Sequence, residues 1–171
     1  MVTGVDFSDL VDSAMADETH SSLGIRYYRA DIAAMPFVFD ASVDLALCSL
    51  VLQGSPSIHP LLQELRRVLK PEGCLVISVL HPETVVPGSE WFLEWIASDV
   101  LCEEGKQGYS MRIEKNGPPV LYFHRTESTY REAYAHAGFR VTLEQVLERL
   151  PPDNHGSEAR DRRVFWVALC K

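Results

Sequence analysis

The chain has 171 residues, 46% of them hydrophobic and 23% charged, and one globular domain with an ordinary core fits that length. Its formal net charge of −8 argues against a nucleic-acid phosphate track, which needs a clustered basic face. No apolar run approaches the ~18 residues of a membrane span, and Met1–Asp6 lacks the basic and apolar regions of a signal peptide.

In chain order, Val2-Thr3-Gly4-Val5-Asp6 is a short strand pattern ending on an acid. Phe7-Ser8-Asp9 then offers cap chemistry to a helix over 9–16. After a polar break at 17–24, Ile25-Arg26-Tyr27-Tyr28-Arg29-Ala30-Asp31 reads as a second strand, again ending on an acid. Residues 43–51 are the most apolar run and suit a strand buried on both faces. A helix opens at Ser55-Pro56-Ser57, carries Ile58, Leu61, Leu62, Leu65, Val68 and Leu69 as one stripe, and is expected to stop at Lys70-Pro71-Glu72-Gly73. The strand 74–80 follows, so strand, helix and strand with short joins imply a right-handed crossover and a largely parallel sheet.

From 81 to 125 the regular alternation gives way to turn signals and aromatic residues. The spacing of Trp91, Phe92 and Trp95 fits one face of a helix, where they either line an apolar pocket or pack into the core. A helix over 126–137 closed by Gly138 and two late strands over 139–146 and 163–169 complete the chain. Four scattered cysteines without a Cys-x-x-Cys pair make a disulfide framework a poor expectation and fit a reducing cytosol. Six histidines without close spacing carry no metal signature.

These pieces in this order resemble the class I S-adenosylmethionine-dependent methyltransferases of small-molecule type, over nearly the whole chain. Residues 64–73 followed by 74–79 look like the family's fourth helix, turn and fifth strand. Residues 43–52 look like its fourth strand, and His124-Arg125-Thr126 through Phe139 is similar to its late helix and sixth strand. The resemblance implies a Rossmann-like α/β domain over 1–171, mostly parallel with an antiparallel last strand, and a substrate-side insertion over 81–125. It also implies S-adenosylmethionine as cofactor and a small molecule as methyl acceptor.

Carried over position by position, Asp6, with Phe7 beside it, matches the acid that accepts both ribose hydroxyls. The alternative for Asp6 is a helix cap. Asp31 and Ile32 match the adenine contacts, or a plain surface turn. Cys48 and Ser49 match the fourth-strand edge beneath the sulfonium, where a small packing residue is the alternative. The family's first strand and its Gly-x-Gly loop would precede Val2, and no Gly-x-Gly occurs in the chain. That strand lies centrally in the family, between the second and fourth. The chain is therefore expected to be a truncated form that pairs those strands directly, borrows a strand from another chain, or is a fragment of a longer product. The sheet face uncovered by loss of the first helix is expected to be buried in a homodimer or by a partner chain.

His81, at the carboxyl edge of a strand, and His124, entering the late helix, are the candidate bases, with a backbone-satisfied structural histidine as the alternative for each. Trp91, Trp95, Tyr122 and Arg125 are the expected acceptor-pocket residues. Glu83, Glu90 and Glu94 flank the pocket and could hold a cation or act as a base. Two further readings stay open: a methyltransferase-derived scaffold using a histidine for acid/base chemistry, and a non-catalytic partner subunit.

Overall fold

The computed structural model describes residues 1–16, 24–85, 87, 94–112, 119–148 and 163–171. Strands β1 (Val2–Asp6) and β2 (Ile25–Arg29) pair in parallel, from Val2 opposite Ile25 to Asp6 opposite Arg29. A parallel neighbour demands a crossover, and helix α1 (Leu10–Ala16) lies on it. Arg29 ties that crossover to the strand tips, donating to Asp12 at 2.9 Å and to the Phe7 carbonyl at 3.3 Å.

The larger sheet has the order β3 (Val43–Ser49), β4 (Leu69–Leu80), β9 (Arg163–Cys170), β8 (Val141–Glu148). β3 and β4 are parallel, β9 is antiparallel to β4, and β8 is antiparallel to β9. It follows that β3, β4 and β8 run one way and only the last strand is reversed, as the sequence implied. Among the described residues no ladder joins β1–β2 to this sheet, so the direct pairing of β1 with β3 entertained from sequence does not form.

Helix α2 (His59–Val68) buries Leu61, Leu62, Leu65 and Val68 on one face, with Pro60 in its first turn, where a missing N–H costs nothing. It ends at Val68 rather than at the Lys70–Gly73 stop. Leu69 is already extended (ψ 138°) and opens β4, and Lys70–Gly73 becomes an irregularity between the pairs Val43–Leu69 and Leu45–Cys74. Pro71 is tolerated there because the bulge asks no ladder N–H of it. A Cβ on Gly73 would sit 3.0 Å from the Val43 and Lys70 carbonyls, so only glycine fits without a shift. Helix α3 (Glu127–His136) is capped by Thr126, whose hydroxyl accepts from Thr129 N, and is followed by Gly138 at φ +83°.

Register sorts the four strands into two faces. Cys48, Ile77 and Ala168 lie abreast and are buried, with Leu75, Val79, Trp166 and Cys170 alongside. They share one core with α2 and α3, where Trp166 stacks on Tyr134 at 6.2 Å between ring centres. Val5, Ile32 and Phe37 pack against that same core, which holds the β1–β2 unit beside β3 although no strand bonds connect them. On the opposite face Leu47, Val76, Leu169 and Leu143 form a row across all four strands. Leu47 is 70% exposed and Leu143 56%.

The stretch 94–122 folds as an antiparallel sheet, β5 (Glu94–Leu101), β6 (Gln107–Arg112) and β7 (Val120–Tyr122). Trp95 is therefore a strand residue, and the helix-face reading of its spacing fails; Trp91 and Phe92 lie outside the described residues. The hairpin wins because Cys102 N bonds the Lys106 carbonyl at 2.9 Å around Gly105, whose φ of +73° a helix cannot use.

Candidate functional site

Asp6 and Asp31 stand at the carboxyl ends of adjacent parallel strands, the edge where open α/β sheets bind ligands. Both carboxylates are exposed. Asp6 accepts from Ser8 N at 2.8 Å and Asp31 from Ala33 N at 2.9 Å, so each is oriented by a short turn. Those bonds occupy one oxygen of each pair. The Asp31 turn, closed by Ala34 N on the Asp31 carbonyl, passes over the Ile32 amide. Phe7 is 74% exposed beside Asp6, while Ile32 is half-buried against the core.

At the tip of β3, Cys48 is buried and burial pushes its thiol up to about 12, which makes it a packing residue without nucleophilic character. Ser49 is exposed and bonds the Ser78 hydroxyl of β4 at 2.8 Å. Leu50 follows at φ +59°, a conformation costing a leucine about 1–2 kcal/mol, and is held by its N–H on the Ser78 carbonyl at 2.8 Å. Sequence offered no sign of this strained turn, since leucine is not a left-handed residue by habit.

The turn after β4 brings the two histidines to one edge. His81 is 1% exposed, and its carbonyl accepts from Thr84 N and Val85 N. Val85 O in turn accepts the Tyr122 hydroxyl at 2.9 Å, and that oxygen lies 3.3 Å from His124 Nδ1. Burial raises the Tyr122 pKa, so the phenol stays protonated and spends its proton on Val85. His124 also bonds the Val85 backbone, so the Tyr122 hydroxyl and the Val85 carbonyl together orient its ring. Partial burial, with Lys106 nearby, lowers the His124 pKa below the usual imidazole value. A neutral imidazole keeps one nitrogen lone pair and is base-competent at neutral pH. A histidine ¹H NMR titration is expected to find His124 titrating below 6.5, with Lys106→Met moving it upward; a value above 6.5 would overturn the neutral-base assignment.

Arg125 has a different role from the pocket residue expected of it. It is buried, and it donates to Glu104 at 3.0 Å, to the Leu52 carbonyl at 3.3 Å and to the Pro56 carbonyl at 3.0 Å. Its guanidinium also covers the Phe123 ring at 5.7 Å. With its donors turned inward it braces α3, the 3-10 turn Leu52–Gly54 and the β5–β6 hairpin against each other. Gln53, which sequence analysis passed over, does similar work: its side chain accepts from Leu80 N and its carbonyl from Phe123 N, both at 2.7 Å.

Parallel strands tipped by oriented acids and a reversed last strand are the fold of the class I S-adenosylmethionine-dependent methyltransferases. Residues 1–77 match the family model described as a methyltransferase domain. The biotin biosynthesis bifunctional protein BioHC of Teredinibacter turnerae is 32% identical over 128 residues, 68% of this chain and 22% of that protein. Malonyl-[acyl-carrier protein] O-methyltransferase 1 of Coxiella burnetii is 38% identical over 85 residues, 50% of this chain and 27% of that protein. The chain thus spans about a quarter of the length of these curated relatives. The crystal structure of an S-adenosylmethionine dependent methyltransferase from Mesorhizobium loti superimposes with a TM-score of 0.63 at 26% identity, over 99% of this chain and 79% of that one.

Proposed function

We propose that this chain is the nucleoside-binding and acceptor-side part of an S-adenosylmethionine-dependent methyltransferase acting on a small molecule. Asp6 takes the ribose hydroxyls, Asp31 and the Ile32 amide take the adenine, and Ser49 lies beneath the methionine arm. The observation that carries this reading is the pair of oriented, exposed acids on neighbouring parallel strand tips. His124 is the base, and its contacts with Tyr122 and the 81–85 turn, which orient the ring, support that role. Isothermal titration with S-adenosylmethionine tests the reading: micromolar binding supports it, and no heat at millimolar cofactor removes it.

A partner belongs to the same proposal. β3 bonds only β4 and β1 bonds only β2 among the described residues, so both sheets present an open edge. The Leu47–Val76–Leu169–Leu143 row leaves an apolar face beside it. Unpaired edges and contiguous exposed leucines are liabilities that proteins cover. A second copy of this chain is the proposed cover. Sedimentation equilibrium is expected to give a dimer that Leu47→Lys converts to monomer, and a concentration-independent monomer mass for the unaltered chain would overturn it.

The half-buried His124, its pKa lowered by burial, also favours a second reading, acid/base chemistry on a scaffold that has given up the methyl donor. Incubation with candidate metabolites without cofactor, comparing the chain with His124→Ala, separates the two.

A further inference from the structure

We propose that His81, Glu83 and Glu127 form a binding site for a divalent first-row transition ion of the zinc, cobalt or manganese kind. One ligand atom from each of the three lies within 4.8 Å of the other two, at the carboxyl edge of β4 and the first turn of α3. Their chemistry is one imidazole and two carboxylates, the donor set borderline divalent ions take. Ligands around one such ion at ~2.1 Å stand roughly 3–3.6 Å apart, so a closing movement of about 1 Å completes the set. Glu83 is exposed on a turn and would exchange its present contact for the ion.

His81 supplies an independent sign. The residue is 1% exposed, and the atom it turns toward Glu127 is Nε2. That atom faces Glu127 Oε1 at 3.9 Å, too far for a direct bond and suited to a shared ion between them. Glu127 is already aimed: its other oxygen is held by Arg131 at 2.7 Å, and Arg131 is fixed by Glu144 and by the face of Trp166. Arg131 weakens the site by its charge while setting its geometry, which predicts micromolar rather than picomolar affinity.

The site has an outer partner too. An ion on Nε2 requires the proton on Nδ1, and Thr84 Oγ1 lies 3.3 Å from Nδ1, able to accept it. Without an ion the Glu83 N–H points at Nδ1 at 3.3 Å, which places the proton on Nε2. Binding therefore switches the His81 tautomer. Three protein ligands leave open positions on the ion, as in sites that exchange water or substrate. Spacing along the chain hid this site, because 81, 83 and 127 are far from any local metal pattern.

The test is titration of the purified, tag-free chain with cobalt(II), read by its visible absorption, and with zinc(II) in competition. Stoichiometric binding is expected to weaken about tenfold or more in Glu127→Gln and in Glu83→Gln, both partly exposed positions that leave the far-UV spectrum unchanged. ¹⁵N-resolved NMR should show His81 passing from Nε2–H to Nδ1–H as zinc is added, and Thr84→Val should weaken binding without changing stoichiometry. Three outcomes would overturn the proposal. They are no spectral change at millimolar cobalt, a thiolate charge-transfer band that reports a cysteine ligand, or loss of binding in His59→Gln, whose ring lies 5.3 Å from His136 as an alternative histidine pair. The readout is the ion itself, so the proposal stands or falls apart from methyl transfer.

Discussion

Replacing Arg125 with methionine is expected to lower the free energy of unfolding by about 3–5 kcal/mol, the loss typical of a broken buried ion pair. The side chain is buried, so water cannot take over its bonds to Leu52 O and Pro56 O. Glu104 would lose its cation as well. Methionine restores some volume but none of the donors, and buried carbonyls without partners keep the full desolvation cost. Arg125→Lys is expected to recover only a part, since an ammonium cannot reach three separated acceptors from one planar fork. Urea unfolding followed by circular dichroism measures both. A midpoint change worth under ~0.5 kcal/mol, the range of ordinary surface substitutions, would return Arg125 to the pool of acceptor-binding residues.

The second large effect concerns the cofactor. Asp6→Ala is expected to weaken S-adenosylmethionine binding by about 10- to 150-fold, the equivalent of ~1.5–3 kcal/mol for hydrogen bonds to a charged acceptor. Asp31→Ala should cost less, because a single exocyclic amino group replaces two hydroxyls. Both carboxylates are exposed, so their removal should leave unfolding within ~0.5 kcal/mol of the unaltered chain. The Ser8 N contact at 2.8 Å provides a check on that point. Asp6→Asn keeps an acceptor for Ser8 N while discarding the charge, so it should hold stability yet bind poorly. Equal affinity in Asp6→Ala and the unaltered chain would remove the acid from the ribose.

Much of the fold was legible along the chain. The stripe Leu61, Leu62, Leu65 and Val68 reads as one face of a helix and the runs 43–51 and 74–80 read as strands, but β3 is buried on one face only, with Leu45 60% and Leu47 70% exposed on the other. Asp6 and Asp31 were legible as strand-tip acids because strand ends are marked by where alternation stops. Element ends were less so: Lys70–Gly73 carries stop signals that a bulge in β4 absorbed. The 94–122 sheet was missed since three aromatic residues at helical spacing say nothing about the hairpin turn at Gly105 or the strands it pairs.

Local pattern and order of elements by themselves determined the class of this chain, the directions of its main strands and the two strand-tip acids. Tertiary structure alone decided that Arg125 faces inward, that Tyr122 meets Val85 and His124, and that Glu127 lies beside His81. Those outcomes depend on which donors meet which acceptors across 37 to 73 residues of sequence. Periodicity reports the face on which a side chain lies, whereas only folding sets the partner it meets there.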